Sequence, residues 1–451
     1  MLTTRADEAY LRLQNERESN ARSYPRRFPL VIDKAAGLTI TDTEGRTYYD
    51  CLAGAGTLAL GHNHDVVVAA IEDVLRRRIP LHTLDLATPL KIEFMQEIVS
   101  LLPDGLRETA KIQFCGPTGA DGVEAAIKLV KTATGGKSIL AFHGGYHGST
   151  QATMAMSGNL SKKRHLQSLL PDVHFLPYPY EYRCPFGVGE GRTGELSARY
   201  IENVLDDCES GISAPCGIIV ETVQGEGGAV PADLEWLRQL RRITAERGIP
   251  LIIDEVQTGI GRTGTMFSFE HAGIVPDVVV LSKAIGGSLP MSLIAYKGEL
   301  DRWQPGAHTG TFRGNQLGMA TGLATLRYIR ENGVLDNVAA RGAQLLGGLR
   351  ALSGEHEEIG DVRGRGLMIG VEVVDPRGKR DRLGHYPASG ELAAAIQERC
   401  LHGGLIVESG GRHSAVLRFL PPLTITERET EEVLAIFRRA VAEATSARRS
   451  C

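Results

Sequence analysis

The chain lacks most of the features that would confine it to a special class of protein. Its formal net charge is only −4, from 50 Lys and Arg against 54 Asp and Glu, so no field of one sign exists to gather nucleic acid or anionic lipid. No apolar run reaches the ~18 residues of a membrane span, and the opening MLTTRADEAYLRLQNERE is charged where a secretory signal needs an apolar core. A protein that is neither exported nor membrane-spanning is expected. Cysteine is thinly spread: Cys51, Cys115, Cys184, Cys208, Cys216, Cys400 and Cys451 include no CxxC pair, and an odd number cannot close a complete disulfide framework. Reduced thiols in a cytosol are the simplest reading. There is no internal repeat and no low-complexity linker, and only the closing ATSARRSC reads as an unstructured tail.

What is present is an ordinary globular composition with one excess. The 451 residues amount to about three times a typical domain of ~150. Hydrophobic residues at 42% and charged residues at 23% exclude a disordered chain, a coiled coil and a membrane bundle. Glycine stands out at 53 of 451 residues and falls in clusters, a mark of close backbone approach.

Through the middle of the chain short apolar runs alternate with helical patterns, which predicts an α/β fold with a mostly parallel sheet flanked by helices. The clearest runs are Ile112 to Phe114, Ser138 to Phe142, His174 to Leu176, Gly217 to Val220, Leu251 to Val256 and Asp277 to Leu281. Between them VEAAIKLVKTA and LEWLRQLRRITAERG read as crossover helices, the second stopped by Gly248 with Pro250 beyond. From about Gly318 the pattern changes to long helices, a hairpin-like GRGLMIGVEV, a helix near Leu392 to Cys400 and a last helix from Glu427. The meander LVIDKAAGLTITDTEGRTYYD near the start can join that part. The expected division is a large domain over 63–324 and a smaller, discontinuous α+β domain built from 1–62 and 325–451.

In open α/β sheets ligands sit beyond the carboxyl ends of the strands, so polar residues that terminate apolar runs are the place to look. Asp254 closes the run LIID, and a carboxylate there needs a cationic partner; standing alone it reads equally well as a turn cap. Lys283 follows DVVVLS and precedes AIGGS, where partial desolvation would make a lysine nucleophilic enough for a Schiff base, or it is a surface lysine at a strand exit. GIIVETVQGEGGAV places Glu221 and Glu226 in one Gly-rich loop, as a site or a solvated turn. CGPTGADGVEAAIKL is a loop running into a helix whose free N–H groups can hold a phosphate, and AFHGGYHGST offers the Tyr146 ring beside His143 and His147. The intervening glycines make a metal-binding helix at those histidines a poor fit.

Other motifs fail their structural context. GIGRTG fits GxGxxG but lacks a following helix and an acid about 20 residues on, which argues against a nicotinamide-dependent oxidoreductase. GGKS ends like a P-loop with Lys131 where the first glycine belongs, and no GxSxG elbow exists. One lysine, one carboxylate ending an apolar strand, an aromatic plane and a phosphate-holding helix start together form the set that pyridoxal 5′-phosphate requires.

ETVQGEGG, IIDEVQTGIGRTG, LSKAIGGSLP, HTGTFRGNQ and RFLPPLTIT resemble, in order and spacing over nearly the whole chain, the class III (omega-amino acid) aminotransferases of fold type I. The resemblance implies that Lys283 is the Schiff-base lysine and proton carrier, that Asp254 pairs with the pyridine nitrogen, that Gln257 lies near the ring hydroxyl and that Tyr146 stacks on the ring. It implies that backbone groups of Gly119 and Ala120 hold the phosphate, with a side-chain contact missing because relatives often carry Ser or Thr in place of Ala120. Thr311 would reach the phosphate of a partner subunit in a homodimer. Arg418 would grip the α-carboxylate of the acceptor, and Glu226 would pair with that arginine when an amine donor is bound, unless the two form a purely structural salt bridge. Arg17 to Ile32, CLAGAGTLALGHNH and HTLDLATPLKIEF look like the diaminobutyrate–2-oxoglutarate subgroup, with Asp65 a departure from the usual HNHP. The implied function is transfer of the 4-amino group of L-2,4-diaminobutyrate to 2-oxoglutarate. Another terminal amine (ornithine, 4-aminobutyrate or lysine) and an aminomutase on the same scaffold remain open from sequence.

Overall fold

The computed structural model describes residues 5–166, 168–189 and 191–449. Its centre is a seven-stranded sheet in the spatial order Lys111–Phe114, Ser292–Tyr296, Val278–Ser282, Leu251–Asp254, Pro215–Val220, Ser138–Phe142, Val173–Leu176. Six strands run parallel and only Ser292–Tyr296 opposes its neighbours. That antiparallel strand has no counterpart among the apolar runs expected from sequence; the other six do.

The strands are apolar without alternation because both faces are covered. Ile252, Val278 and Val280 face one layer with Val123, Ala126 and Val130 of the helix Gly119–Thr134. Ile253, Val279 and Leu281 face the other with Trp236, Leu240 and Ile243 of the helix Leu234–Glu246. Since the six parallel strands point the same way, everything that follows their carboxyl ends gathers along one edge. The strand Leu251–Asp254 stops two residues short of the apolar run because Asp254 Oδ1 accepts the Val256 N–H at 3.0 Å, turning the chain out of the ladder.

Two smaller sheets sit beside this one. The meander Ile32–Ala36, Thr39–Asp42, Thr47–Asp50 takes Leu405–Ile406 as its fourth, parallel strand, so the start of the chain shares a sheet with its far end. Ile359–Arg365, Met368–Val373, Val416–Phe419 and Glu408–Gly410 form an antiparallel sheet in that order. Asp65 opens the helix Asp65–Arg76, where an acid suits the positive helix end, so the departure at that position is locally favourable. GIGRTG is followed by a short 3-10 turn at Ser268–Ala272 and not by an α-helix. One expectation is corrected: the closing segment is no loose tail through Arg449, because the helix Glu427–Arg449 runs through it. Thr445 is buried and bonds the Val441 carbonyl, while Arg448 pairs with Asp375 at 2.8 Å. Ser450 and Cys451 lie outside the described residues.

Candidate active site

Four neighbouring strand ends deliver the buried half of the site. Asp254 closes its strand almost fully enclosed, and its Oδ2 lies 2.7 Å from Nδ1 of His147, whose side chain is only 1% exposed. Lys283 follows the next strand in left-handed backbone (φ 50°), an uncommon conformation for a residue with a side chain. Ser282 pins that turn by donating its hydroxyl to the Met291 carbonyl at 2.7 Å. No hydrogen bond or ion pair with a described residue occupies the Lys283 amine. Glu221 follows the strand on the other side of Asp254; its two oxygens accept the N–H of Tyr146 and of Gly225, each at 2.9 Å.

The helix Gly119–Thr134 aims its start at this group. Thr118 caps it by accepting the Asp121 N–H, which leaves the amides of Gly119 and Ala120 with no carbonyl of their own helix to bond. Glycine is required at 119, since a β-carbon there would stand 2.8 Å from Val256 Cγ1 and push the helix off the strand end. Ala120 lies against Gly148, directly after His147. Tyr146 is 37% exposed, with its hydroxyl 3.0 Å from Ser149 Oγ.

Charge sets the proton affinities. Burial pulls the Lys283 amine below its ordinary value, against the opposing charges of Glu226 and Asp254. Burial also works against protonating His147, but the bond and charge of Asp254, aided by Glu221, outweigh it and hold the imidazole above its usual value. Burial pushes the Glu221 carboxyl up to about 7, the charge of Asp254 adding to it and that of His147 opposing. The arrangement therefore offers a lysine of lowered proton affinity beside an aspartate hydrogen-bonded to a histidine of raised proton affinity.

The second half of the site is open and comes from loops and the antiparallel sheet. Arg418 is buried, and its Nη2 contacts Glu226 Oε1 at 2.6 Å and Glu408 Oε2 at 2.7 Å. Glu408 and Arg418 face each other across paired strands. The Glu226 side chain is 43% exposed, whereas that of Glu408 is 5% exposed. Burial would favour a neutral Glu226, but the guanidinium overrides this and keeps its carboxyl below the ordinary range. Gln257 bonds the Ala55 carbonyl through Nε2 at 2.9 Å and presses so closely on Gly225 that a side chain there would collide with it. The AGAG turn and the Glu226 loop therefore meet at Gln257.

Of the residues singled out from sequence, Asp254, Gly119, Ala120, Tyr146, Gln257, Glu226 and Arg418 belong to the chain of contacts described above, and Lys283 stands at the strand end next to Asp254. Thr311 does not join them within the chain; it lies on the exposed turn Thr311–Gly314 beside the exposed Phe312. The structure adds His147, weighed from sequence only as a metal ligand, and Glu221, Glu408 and Tyr24, whose roles sequence spacing left unread. Six cysteines among the described residues are unpaired thiols, and no described helix is long and apolar enough to cross a membrane.

Comparison with known proteins gives this geometry a family. The chain is 54% identical over 432 residues to a diaminobutyrate–2-oxoglutarate aminotransferase of Rhizobium meliloti, covering 96% of this chain and 92% of that one. It is 50% identical over 445 residues to the protein of that description in Haemophilus influenzae, covering 99% and 97%. Among solved structures it superposes on an (S)-enantioselective omega-transaminase of Thermomicrobium roseum with a TM-score of 0.86 at 27% identity, covering 98% and 99%. An amine transaminase of an uncultivated Pseudomonas species, solved with pyridoxal phosphate bound, gives 0.83 at 26% identity, covering 95% and 98%. The family model for class III aminotransferases matches residues 20–441, and the chain belongs to that family.

Proposed function

We propose that this protein is a pyridoxal 5′-phosphate-dependent aminotransferase that exchanges the 4-amino group of L-2,4-diaminobutyrate with 2-oxoglutarate, giving L-aspartate 4-semialdehyde and L-glutamate reversibly. The observation that carries the chemistry is the partly buried amine of Lys283, with no hydrogen bond or ion pair to a described residue, beside the Asp254–His147 pair at the carboxyl edge of the sheet. The donor follows from relatives of that description at 54% and 50% identity over nearly the full chain.

The residues present suit the cofactor. Lys283 would hold it covalently, the free amides of Gly119 and Ala120 its phosphate, the Tyr146 ring its face, Gln257 its ring hydroxyl and Asp254 its ring nitrogen. When bound, pyridoxal phosphate supplies an electron-withdrawing ring that acidifies the C–H of the amine-bearing carbon. The protein's own work is to place and move protons. Asp254, oriented by its bond to His147, would keep a proton on the ring nitrogen it faces. Lys283 Nζ, its proton affinity lowered by burial, takes the proton from the substrate carbon and returns it elsewhere on the same face. Arg418 holds the α-carboxylate of 2-oxoglutarate or glutamate, and Glu226 takes the arginine back when the diamine is bound. Thr311 of a second subunit would complete the phosphate site, so the working unit is a homodimer. The unpaired thiols among the described residues support a cytoplasmic location.

Lys283→Ala tests the chemistry: it should abolish turnover and the visible absorption of the holoenzyme. A panel of L-2,4-diaminobutyrate, ornithine, 4-aminobutyrate and lysine, each with 2-oxoglutarate, tests the donor, and diaminobutyrate should give the highest kcat/KM. Another donor in first place, or conversion without a keto acid, overturns the reading.

A further inference from the structure

The Arg418 cluster carries more negative charge than an arginine needs. One guanidinium meets two carboxylates, Glu226 at 2.6 Å and Glu408 at 2.7 Å, both on Nη2. Glu226 is partly exposed, but Glu408 is 5% exposed and, among the described residues, has Arg418 as its one ion-pair partner, which it shares with Glu226. The cluster also holds polar atoms with nothing to bond. Glu408 Oε2 accepts no hydrogen bond, its approach to Nη2 being an ion-pair contact, and Arg418 Nε and Nη1 donate none. One free acceptor and two free donors on buried side chains complement an ammonium and a carboxylate carried close together.

The N-terminal segment fixes this arrangement from the far side. The Tyr24 hydroxyl donates to Glu408 Oε1 at 2.8 Å, and Arg27 Nη1 anchors the segment by donating to the Ser409 carbonyl at 3.0 Å. Oε1 of Glu408 is thereby committed, while Oε2 meets Arg418 Nη2 as an ion pair and accepts no hydrogen bond. Glu226 follows Gly225, whose N–H donates to Glu221 Oε2 at 2.9 Å, so the cluster adjoins the neighbouring strand ends that carry Asp254 and Lys283. A diamine with its terminal nitrogen at Lys283 has only its distal head group left to present to the cluster.

We propose that Glu408, oriented by Tyr24, receives the α-ammonium of the amino donor, and that this contact separates 2,4-diaminobutyrate from terminal amines that lack the group. Glu226, the more open of the two acids, remains free to exchange partners, while Glu408 stays in place. The inference rests on the donor assignment made above and adds the residue that enforces it.

The test compares L-2,4-diaminobutyrate with 4-aminobutyrate, which lacks that ammonium alone, and uses L-glutamate as a control that reacts through its own α-amino group. Half-reactions of the holoenzyme are followed through the absorbance change of its cofactor with L-2,4-diaminobutyrate, with 4-aminobutyrate and with L-glutamate. A site built to bond a polar group loses about tenfold or more when that bond is removed. Glu408→Gln should therefore lower kcat/KM for diaminobutyrate at least about tenfold, and leave 4-aminobutyrate and glutamate within about threefold of wild type. Tyr24→Phe, which removes one oxygen only, should shift the diaminobutyrate to 4-aminobutyrate ratio in the same direction by less. An equal loss with all three amines would mean that Glu408 merely braces Arg418, and an unchanged ratio would mean that it reads nothing; either overturns the proposal. Wild-type enzyme that fails to use diaminobutyrate at all overturns the donor assignment, and this inference with it.

Discussion

Two ion pairs of nearly equal length define the two ends of the cleft, and they are built for opposite purposes. Asp254–His147 at 2.7 Å is sealed, its side chains 5% and 1% exposed, and Asp254 is held further by the Val256 N–H. Glu226–Arg418 at 2.6 Å pairs a carboxylate 43% exposed with an arginine 1% exposed, and the arginine keeps unused N–H groups and a second acid in reserve. A sealed pair has no alternative partner, so it can only fix a charge. An open pair with spare valences can trade one carboxylate for another at little net cost. Distance alone does not distinguish a permanent counterion from a switch; burial and the count of unsatisfied atoms do.

Breaking the sealed pair should have the larger effect. Asp254→Asn leaves His147 without the bond and charge that raise its proton affinity, and removing one partner of a buried pair costs about 3–5 kcal/mol. Turnover should fall by about a thousandfold or more, to the same extent in the diamine and keto-acid half-reactions, since both use one fixed charge. Single-turnover absorbance measurements with each substrate would check this, and the imidazole of His147 should lose its proton at lower pH by NMR. A loss confined to one half-reaction would make this pair a switch as well.

Arg418→Lys should cost less and fall unevenly. Lysine keeps the charge but not the planar fork, so kcat/KM for 2-oxoglutarate should drop about a hundredfold, with the diaminobutyrate half-reaction within about tenfold of wild type. Equal losses would remove the distinction between the two ends of the cleft.

The sealed end was the more legible of the two from sequence, for a physical reason. Lys283 and Asp254 terminate apolar runs, and a polar residue closing a fully buried strand is visible one strand at a time. His147 was in view beside Tyr146, but its partner lies 107 positions further along, so its role depended on a pairing that local pattern does not encode. The open end depends even more on distant segments. Tyr24 and Glu408 are 384 residues apart, and they meet because the N-terminal segment lies over the antiparallel sheet. Strand Ser292–Tyr296 is hidden in the sequence for a related reason: it enters between two strands that it opposes, an arrangement set by the whole sheet and not by the residues of SLIAY. Arg418 was read through its motif, whereas the surplus acid facing it was not, because Glu408 carries no motif.

The smallest effect bears on whether the two ends are independent. Glu221 touches both, through the N–H of Tyr146 next to His147 and the N–H of Gly225 next to Glu226. Its carboxyl is raised from an ordinary value of 4.5 to about 7, so between those values the folded protein holds a proton that the unfolded chain has released. The stabilisation is complete below about 4.5 and is lost as pH climbs to about 7, with a size on the order of 1–3 kcal/mol. Glu221→Gln cannot titrate, so this slope should vanish. Relative to wild type the variant should therefore gain Tm steadily as pH is raised from about 5 to about 8 in holoenzyme melts. If the two curves stay parallel, Glu221 does not release its proton in that window. The sealed and open pairs would then be set separately, and a change at one end would not reach the other through this carboxylate.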